Sequence, residues 1–285
     1  MSGVRDPQRE AAAAVGDRYD VRVLEPSPPA VDEAPWFADD PVARGEPREG
    51  RQVVSPVPTG DLLWVDVARD DPALAEFCRE RWLGPWKRLE SLPPRFAETR
   101  RALHRVAEDV MKPAREAATG KFGLRYTRGG FGTPFFGDDR QLRVERDELI
   151  DVAGDTETRT KLDVDPAAAA AIGDWFGFAA SVLEELRAEA DPELEPSRVQ
   201  LWPEHFDMAV ELGAESDGRR AAYGCSPGDD EHPEPYVYVA PWEAPPEGEL
   251  WNATAFRGAE LPYADLLASD DQRRLALEFF RARLR

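Results

Sequence analysis

The chain has 285 residues, 42% of them hydrophobic and eight of them tryptophan, a composition that fits a folded protein and excludes wholesale disorder. Its 56 acids outnumber its 36 bases for a net charge of −20, which repels polyanions and so argues against nucleic acid or an anionic membrane as partner. Cys78 and Cys225 stand far apart with no CxxC pattern, which excludes a disulfide scaffold or thiolate metal site and fits a reducing cytoplasm.

The positive charge is almost all arginine, the only lysines being Lys87, Lys112, Lys121 and Lys161. The N-terminus lacks the basic-then-apolar pattern of an export signal, and no apolar run approaches the ~18 residues a membrane span needs. The expectation is an acidic, soluble, cytoplasmic protein.

Residues 1–52 read as a Pro-rich acidic tail, largely disordered: Pro26, Pro28, Pro29, Pro35, Pro41 and Pro47 alternate with acids and glycines. Trp36 and Phe37 are the exception, an aromatic pair able to dock on the folded body or on a protein partner. From residue 53 the chain reads as an α+β domain, with a subdivision near residue 160 left open. Residues 62–67 (LLWVDV) form a strand-like run. A helix from about Pro72 then packs Leu74, Phe77, Cys78 and Trp82.

A second helix, from about Pro94, carries Phe96, Leu103, Val106 and Val110 on one stripe. Its other face shows Arg100, Arg101, His104 and Arg105 beside Glu98 and Glu108, and reads as solvated, ion-paired surface with His104 and Glu108 as i,i+4 neighbours. A strand-rich section follows from Lys121. The glycines of Arg128-Gly129-Gly130-Phe131-Gly132-Thr133 suit a bulge or tight turn; the segment lacks the third glycine and following helix of a dinucleotide fingerprint, and a phosphate nest is the alternative. Gly137-Asp138-Asp139 reads as a hairpin turn, and residues 149–152 and 156–162 continue the meander.

Asp165-Pro166 opens a helix by the N-cap and N1 rules, with Ile172, Trp175, Phe176, Ala179, Leu183 and Leu186 on its buried stripe. Strands are expected at 198–202, 206–212, 219–225, 235–239 and 250–256. A capping box at Ser269-Asp270-Asp271-Gln272 starts a last helix packing Leu275, Phe279, Phe280 and Leu284. Helices and strands come in blocks, which favours mainly antiparallel sheets packed against several helices over a doubly wound sheet.

The chemistry-bearing residues concentrate between Leu201 and Trp242, which holds two of the three histidines. Period-2 alternation turns Phe206, Met208, Val210 and Leu212 to the core and places His205, Asp207 and Glu211 on the opposite face. A hairpin centred on Asp217-Gly218 sets His205 opposite Asp230 and Asp207 opposite Gly228 with a two-residue turn. With a four-residue turn, His205 faces Gly228 and Asp207 faces Ser226. Either register brings the loop from Ser226 to His232 alongside His205 and Asp207.

Four readings remain open for this cluster. A small-molecule pocket would use Trp202, His205, Asp207, Ser226, Asp229, Asp230, Tyr236, Tyr238 and Trp242, with the aromatics as walls and the acids orienting a polar or cationic ligand. A divalent metal site, for zinc, manganese or non-haem iron in a hydrolase, would draw on His205, Asp207, Asp229, Glu231 and His232, although their spacing matches no established ligand motif. A Ser226, His205, Asp207 triad lacks the G-x-S-x-G elbow. A purely structural or interaction role makes residues 226–235 a rigid loop in which Asp229 or Asp230 caps backbone amides and His205 makes a buried hydrogen bond.

Leu201-Trp202-Pro203-x-His205-Phe206-Asp207-x-Ala209, Ser226-Pro227-Gly228-Asp229 and Glu234-Pro235-Tyr236-x-Tyr238-Val239-x-Pro241-Trp242 together resemble a family of bacterial proteins, most familiar from high-GC actinobacteria and labelled a domain of unknown function. The resemblance is sharpest over residues 198–256. It implies no substrate, cofactor or catalytic residue, and supports only the choice of segment.

Overall fold

A computed structural model of the chain describes residues 22–23, 54–55 and 87–284, apart from 128, 135, 137–139, 154–155 and 244–247. The expectations for the tail, for Trp36 and Phe37, for the strand at 62–67 and for the helix from Pro72 lie outside the described residues. Arg22–Val23 of the tail pairs antiparallel with Val54–Ser55, just beyond it.

The chain groups into two compact units. One comprises Met1–Pro85, Pro134–Gln141 and Asp151–Thr158; within it Phe136 and Arg140 form an antiparallel bridge, and the Arg140 guanidinium holds both carboxylate oxygens of Asp151 at 3.0 and 2.8 Å. The other comprises Trp86–Thr133, Leu142–Ile150 and Arg159–Arg285, and contains the second sheet, the helices and the pocket described below.

The fold is α+β, built on two five-stranded antiparallel meanders. The first takes β1 (Arg125–Thr127), β2 (Gly130–Gly132), β3 (Arg140–Glu145), β4 (Glu148–Ala153) and β5 (Thr156–Lys161) in chain order. The second takes β6 (Gln200–Trp202), β7 (Asp207–Leu212), β8 (Ala221–Ser226), β9 (Tyr236–Pro241) and β10 (Ala259–Pro262), also in chain order. Leu124 and Leu201 exchange backbone hydrogen bonds of 2.7 and 2.8 Å, a bridge between the start of β1 and β6.

The helices follow from their caps and stripes. α1 (Phe96–Val106) runs through a π-helical turn (Ala107–Met111) into α2 (Lys112–Thr119), which Gly120 ends in the left-handed conformation. The π turn corrects the expected stripe: its extra residue rotates the buried face, so Ala107 and Met111 are buried in place of Val106 and Val110, the latter 41% exposed. In α3 (Pro166–Glu189), Asp165 caps the amide of Ala168 and Pro166 stands at the first turn, as the N-cap and N1 rules require.

All the expected stripe residues of α3 are buried, with Phe178 and Val182 besides, because this helix packs on β1 and β2 of one sheet, on β7 and β8 of the other, and against α1. The sequence 166–187 is long and apolar enough to cross a membrane by length and composition, which corrects the expectation that no such stretch exists; 61% of that apolar window is buried within the protein. Gly173 lets α3 approach the β1–β2 turn: a Cβ there would stand 2.6 Å from the Gly129 carbonyl. Gly130 is equally constrained, its missing Cβ only 1.9 Å from Val144 O. These glycines serve a tight turn and close helix-on-sheet packing.

Near the C-terminus the strand expected at 250–256 is absent, and β10 lies later, at Ala259–Pro262. The reason is Asn252, whose side chain donates to Glu260 O and accepts from Glu260 N, both at 3.0 Å, and so takes the edge a neighbouring strand would occupy. α4 (Tyr263–Ala268), missed by the sequence reading, follows at once. α5 (Gln272–Arg281) is capped by Asp271, which accepts from Arg274 N, and not by the expected Ser269.

Candidate ligand-binding site

The register of the second sheet sorts its side chains cleanly. Cys225 pairs with Met208, Tyr223 with Val210, and Ala221 with Leu212, and these face the core with Val237 and Val239. One step beyond, the same register sets Asp207 opposite Ser226, the four-residue-turn alternative. The other face carries three cross-strand rows. Trp202 pairs with Asp207, and Ser226 with Tyr236; Ala209 pairs with Gly224 and Gly224 with Tyr238; Glu211 pairs with Ala222 and Ala222 with Ala240. Small residues at the centre and large ones at the margins make a recess. It opens into a pocket of about 890 Å³, within the range of small-molecule sites.

Asp207 lies in that face, 6% exposed, at the start of β7. Its Oδ2 accepts the Tyr238 hydroxyl, while Oδ1 is buried without a hydrogen-bond partner among the described residues. Burial pushes the Asp207 carboxyl above the usual range, with the Tyr238 hydrogen bond and the nearby His205 and His104 pulling the other way. Tyr238 reaches Asp207 by lying across Gly224, where a Cβ would stand 2.3 Å from its Cζ. Burial and the Asp207 charge raise the Tyr238 phenol well above its ordinary value, and burial with the Asp207 charge does the same to the Cys225 thiol on the core face.

The turn before β7 departs from the expected alternation. Phe206 is not a strand residue. It sits in the left-handed conformation (φ 54°) closing a turn in which its amide donates to Trp202 O at 2.7 Å, and its ring fills the core. Phe131, Phe176 and His104 surround that ring at centroid distances of 5.0, 5.2 and 5.3 Å. Burying a large ring from a turn holds a backbone geometry that costs about 1–3 kcal/mol elsewhere. As a result His205 projects from the turn, exposed, at the pocket's edge. It makes no buried hydrogen bond, which corrects that expectation.

The loop after β8 is tied down from within. Asp229 Oδ1 accepts from the amides of Glu231 and His232 at 2.8 and 2.7 Å, and Oδ2 accepts the Tyr236 hydroxyl at 2.8 Å. Burial alone would raise the Asp229 carboxyl, but these donors and His232 outweigh it and hold it below its ordinary value. The Tyr236 phenol is raised by burial and by Asp229. His232 stands between two carboxylates, Nδ1 3.3 Å from Asp229 and Nε2 3.1 Å from Glu260, with its ring 4.4 Å from that of Tyr236. Ser226 Oγ accepts Gly228 N at 3.1 Å. Arg100, only 4% exposed, donates to His232 O at 3.3 Å and sits 3.9 Å from Asp230. Burial lowers its pKa.

Trp202, His205, Asp207, Ser226, Asp229, Asp230, Glu231, His232, Tyr236 and Tyr238 therefore share one pocket, as the sequence suggested. Trp242 does not. It follows the end of β9, is 55% exposed, and lies 5.9 Å from the Arg220 guanidinium. The metal set is not assembled either: among the described residues no three His, Cys, Asp or Glu side chains converge as ligands, because Asp229 and His232 are occupied by the loop's own hydrogen bonds. No hydrogen bond among the described residues links Ser226, His205 and Asp207 as a triad.

The sequence reading missed the opposite wall. The α1 face with Arg100, Arg101, His104 and Arg105 lines the pocket instead of facing open solvent. Its expected His104–Glu108 pair is present but loose, at 4.0 Å, and His104 Nε2 is buried with no hydrogen bond among the described residues. The available signal was the density of basic groups on one helix face in so acidic a chain. Comparisons of this chain with family models, with curated proteins and with solved structures find no match.

Proposed function

We propose that the protein is a soluble, cytoplasmic binder of a small molecule, held in the pocket between α1 and the polar face of β6–β9. The observation that carries this reading is Asp207. A carboxylate this deeply buried is costly unless both oxygens are satisfied, and in Asp207, which lines the pocket, the solvent-shielded Oδ1 has no hydrogen-bond partner among the described residues. His104, whose buried Nε2 makes no hydrogen bond among the described residues, lines the same pocket. Unsatisfied groups converging on one cavity are what a polar ligand would complete. The loop from Ser226 to His232 supports the reading by being fixed by its own hydrogen bonds, which leaves a preformed wall. The sequence segment that forms the site is also the one that resembles the bacterial family described above.

The test is a fragment library screened by ligand-observed NMR and by crystal soaking against the full chain. Fragments seated against Asp207, and displaced or weakened in Asp207→Asn, support the pocket. A ligand at 100 times its Kd would add about 2.7 kcal/mol to stability, readable as a thermal shift. Fragments that gather only elsewhere on the protein would sink the reading.

A further inference from the structure

The charges lining the pocket are not all committed, and the uncommitted ones specify a ligand. Glu204 is taken by Lys112 at 2.7 Å, Glu211 by Arg220 at 3.2 Å, Asp229 by its loop, and Asp230 lies near Arg100. Two cations remain. Arg101 and Arg105 stand one helical turn apart on α1, both exposed and both lining the pocket, with no ion pair or hydrogen bond to any described residue. In a chain of net charge −20, a cavity lined by two arginines with no ion pair among the described residues favours an anionic group there.

The unpaired acids are Asp207, on the sheet side, and Glu231, exposed at the rim. Of these only Asp207 is desolvated, so only Asp207 gains strongly from a donor. Tyr236, Tyr238 and Phe256, also lining the pocket, form a cluster with ring centroids 5.9 to 6.4 Å apart. These rings offer an apolar surface for a flat ligand body.

Resting on the pocket reading above, we propose that the ligand is a zwitterion with a ring: a protonated amine that draws the Asp207 carboxylate toward the pocket and pairs with it, and an anionic group that meets Arg101 and Arg105. The amine supplies the missing partner of a buried acceptor. The anion supplies the missing counter-charge of two guanidiniums, whose forked donors suit carboxylate and phosphonate or phosphate alike. Neither half explains both sets of unpaired groups.

The experiment uses four probes on the full chain by calorimetry: benzylamine, benzoate, 4-(aminomethyl)benzoate and 4-(aminomethyl)phenylphosphonate. The expected result is that the two zwitterions bind about tenfold or more tighter than either single-charge probe, one charge-assisted contact being worth that much. Asp207→Asn should erase the advantage over benzoate, and Arg101→Gln with Arg105→Gln should erase the advantage over benzylamine. Asp207→Asn keeps side-chain shape, and the two arginines are exposed, so folding is spared. The better of the two zwitterions tells a carboxylate ligand from a phosphorylated one.

Benzylamine binding as tightly as the zwitterions, with the arginine variants unaffected, would overturn the proposal while leaving the Asp207 pocket standing. Benzoate binding as tightly, with Asp207→Asn unaffected, would overturn it too. So would no binding by any of the four; fragment hits at Asp207 in the preceding screen would then show that the pocket is real and its ligand different.

Discussion

Tyr238 on β9 donates its hydroxyl to Asp207 on β7, two strands away, by laying its ring across Gly224 of the strand between. The contact needs all three residues. A side chain at position 224 would occupy the volume of the ring, since a Cβ there stands 2.3 to 2.5 Å from three of the Tyr238 ring and hydroxyl atoms. Gly224→Ala should therefore displace Tyr238, take its hydrogen bond from Asp207, and cost about 1–3 kcal/mol by overpacking. Denaturant unfolding of Gly224→Ala, Tyr238→Phe and the double variant checks this. The double variant should cost less than the sum of the singles, because the second change acts on a contact already lost. Strict additivity would show that Gly224 is needed for some other reason.

Asp207 itself is predicted to lower stability at neutral pH. Its carboxyl titrates above the ordinary value of 3.8 in the folded protein, first because of burial. The folded state then holds the proton more tightly than the unfolded state, so stability falls as pH rises from 3.8 through the raised folded value, and stays reduced above it. Each tenfold change in proton affinity is about 1.4 kcal/mol. Asp207→Asn keeps an acceptor for Tyr238 and removes the ionisation. Its melting temperature relative to the parent should rise from pH 4 to pH 8, in the window named by that direction. A constant difference across this range would contradict a raised carboxyl at Asp207.

Asp229 has the opposite sign. Its carboxylate is held below the ordinary value because the Glu231 and His232 amides and the Tyr236 hydroxyl donate to it in the folded state. The stability it contributes is present above pH 3.8 and is lost as pH falls through the lower folded value. Asp229→Ala should cost about 1–2 kcal/mol at neutral pH, as losing a helix cap does. It should also speed amide exchange at Glu231 and His232 while sparing β8. Unchanged exchange would mean that the loop is held by His232, Glu260 and Arg100 alone.

These residues also show where sequence reading succeeds and fails. The helix from Pro166 was legible because its cap and stripe are local signals, and the β7–β8 region was legible because alternation and an Asp-Gly turn fix a hairpin to within two registers. Alternation placed the Phe206 ring in the core, where it lies, but not its backbone in a left-handed turn, because the partners that hold the ring, Phe131, Phe176 and His104, come from three elements distant in the chain. The α1 wall was missed for a related reason. A basic helix face looks the same in sequence whether it meets water or a cavity, and only the packing of α1 beside the second sheet distinguishes them. Trp242 was misplaced because the strand pattern ends at Pro241, beyond which alternation no longer says which way a side chain points.

Gly228 offers a last prediction, about what keeps the loop in place. It has φ 97°, and a Cβ on it would meet His232 O at 2.6 Å, the Arg100 guanidinium at 2.7 Å and Glu234 O at 2.9 Å. Two of these obstacles are backbone, and the conformation itself disfavours any L side chain by about 1–2 kcal/mol. Gly228→Ala should therefore destabilise by more than about 2 kcal/mol, adding the strain to the collision. The same change in an Arg100→Ala background separates the causes. Removing the guanidinium clears one contact of three, so most of the cost should persist. If the cost instead vanishes in that background, Arg100 is the sole obstacle, the loop backbone can give, and the wall of the pocket is set by the α1 arginine rather than by the Asp229 turn.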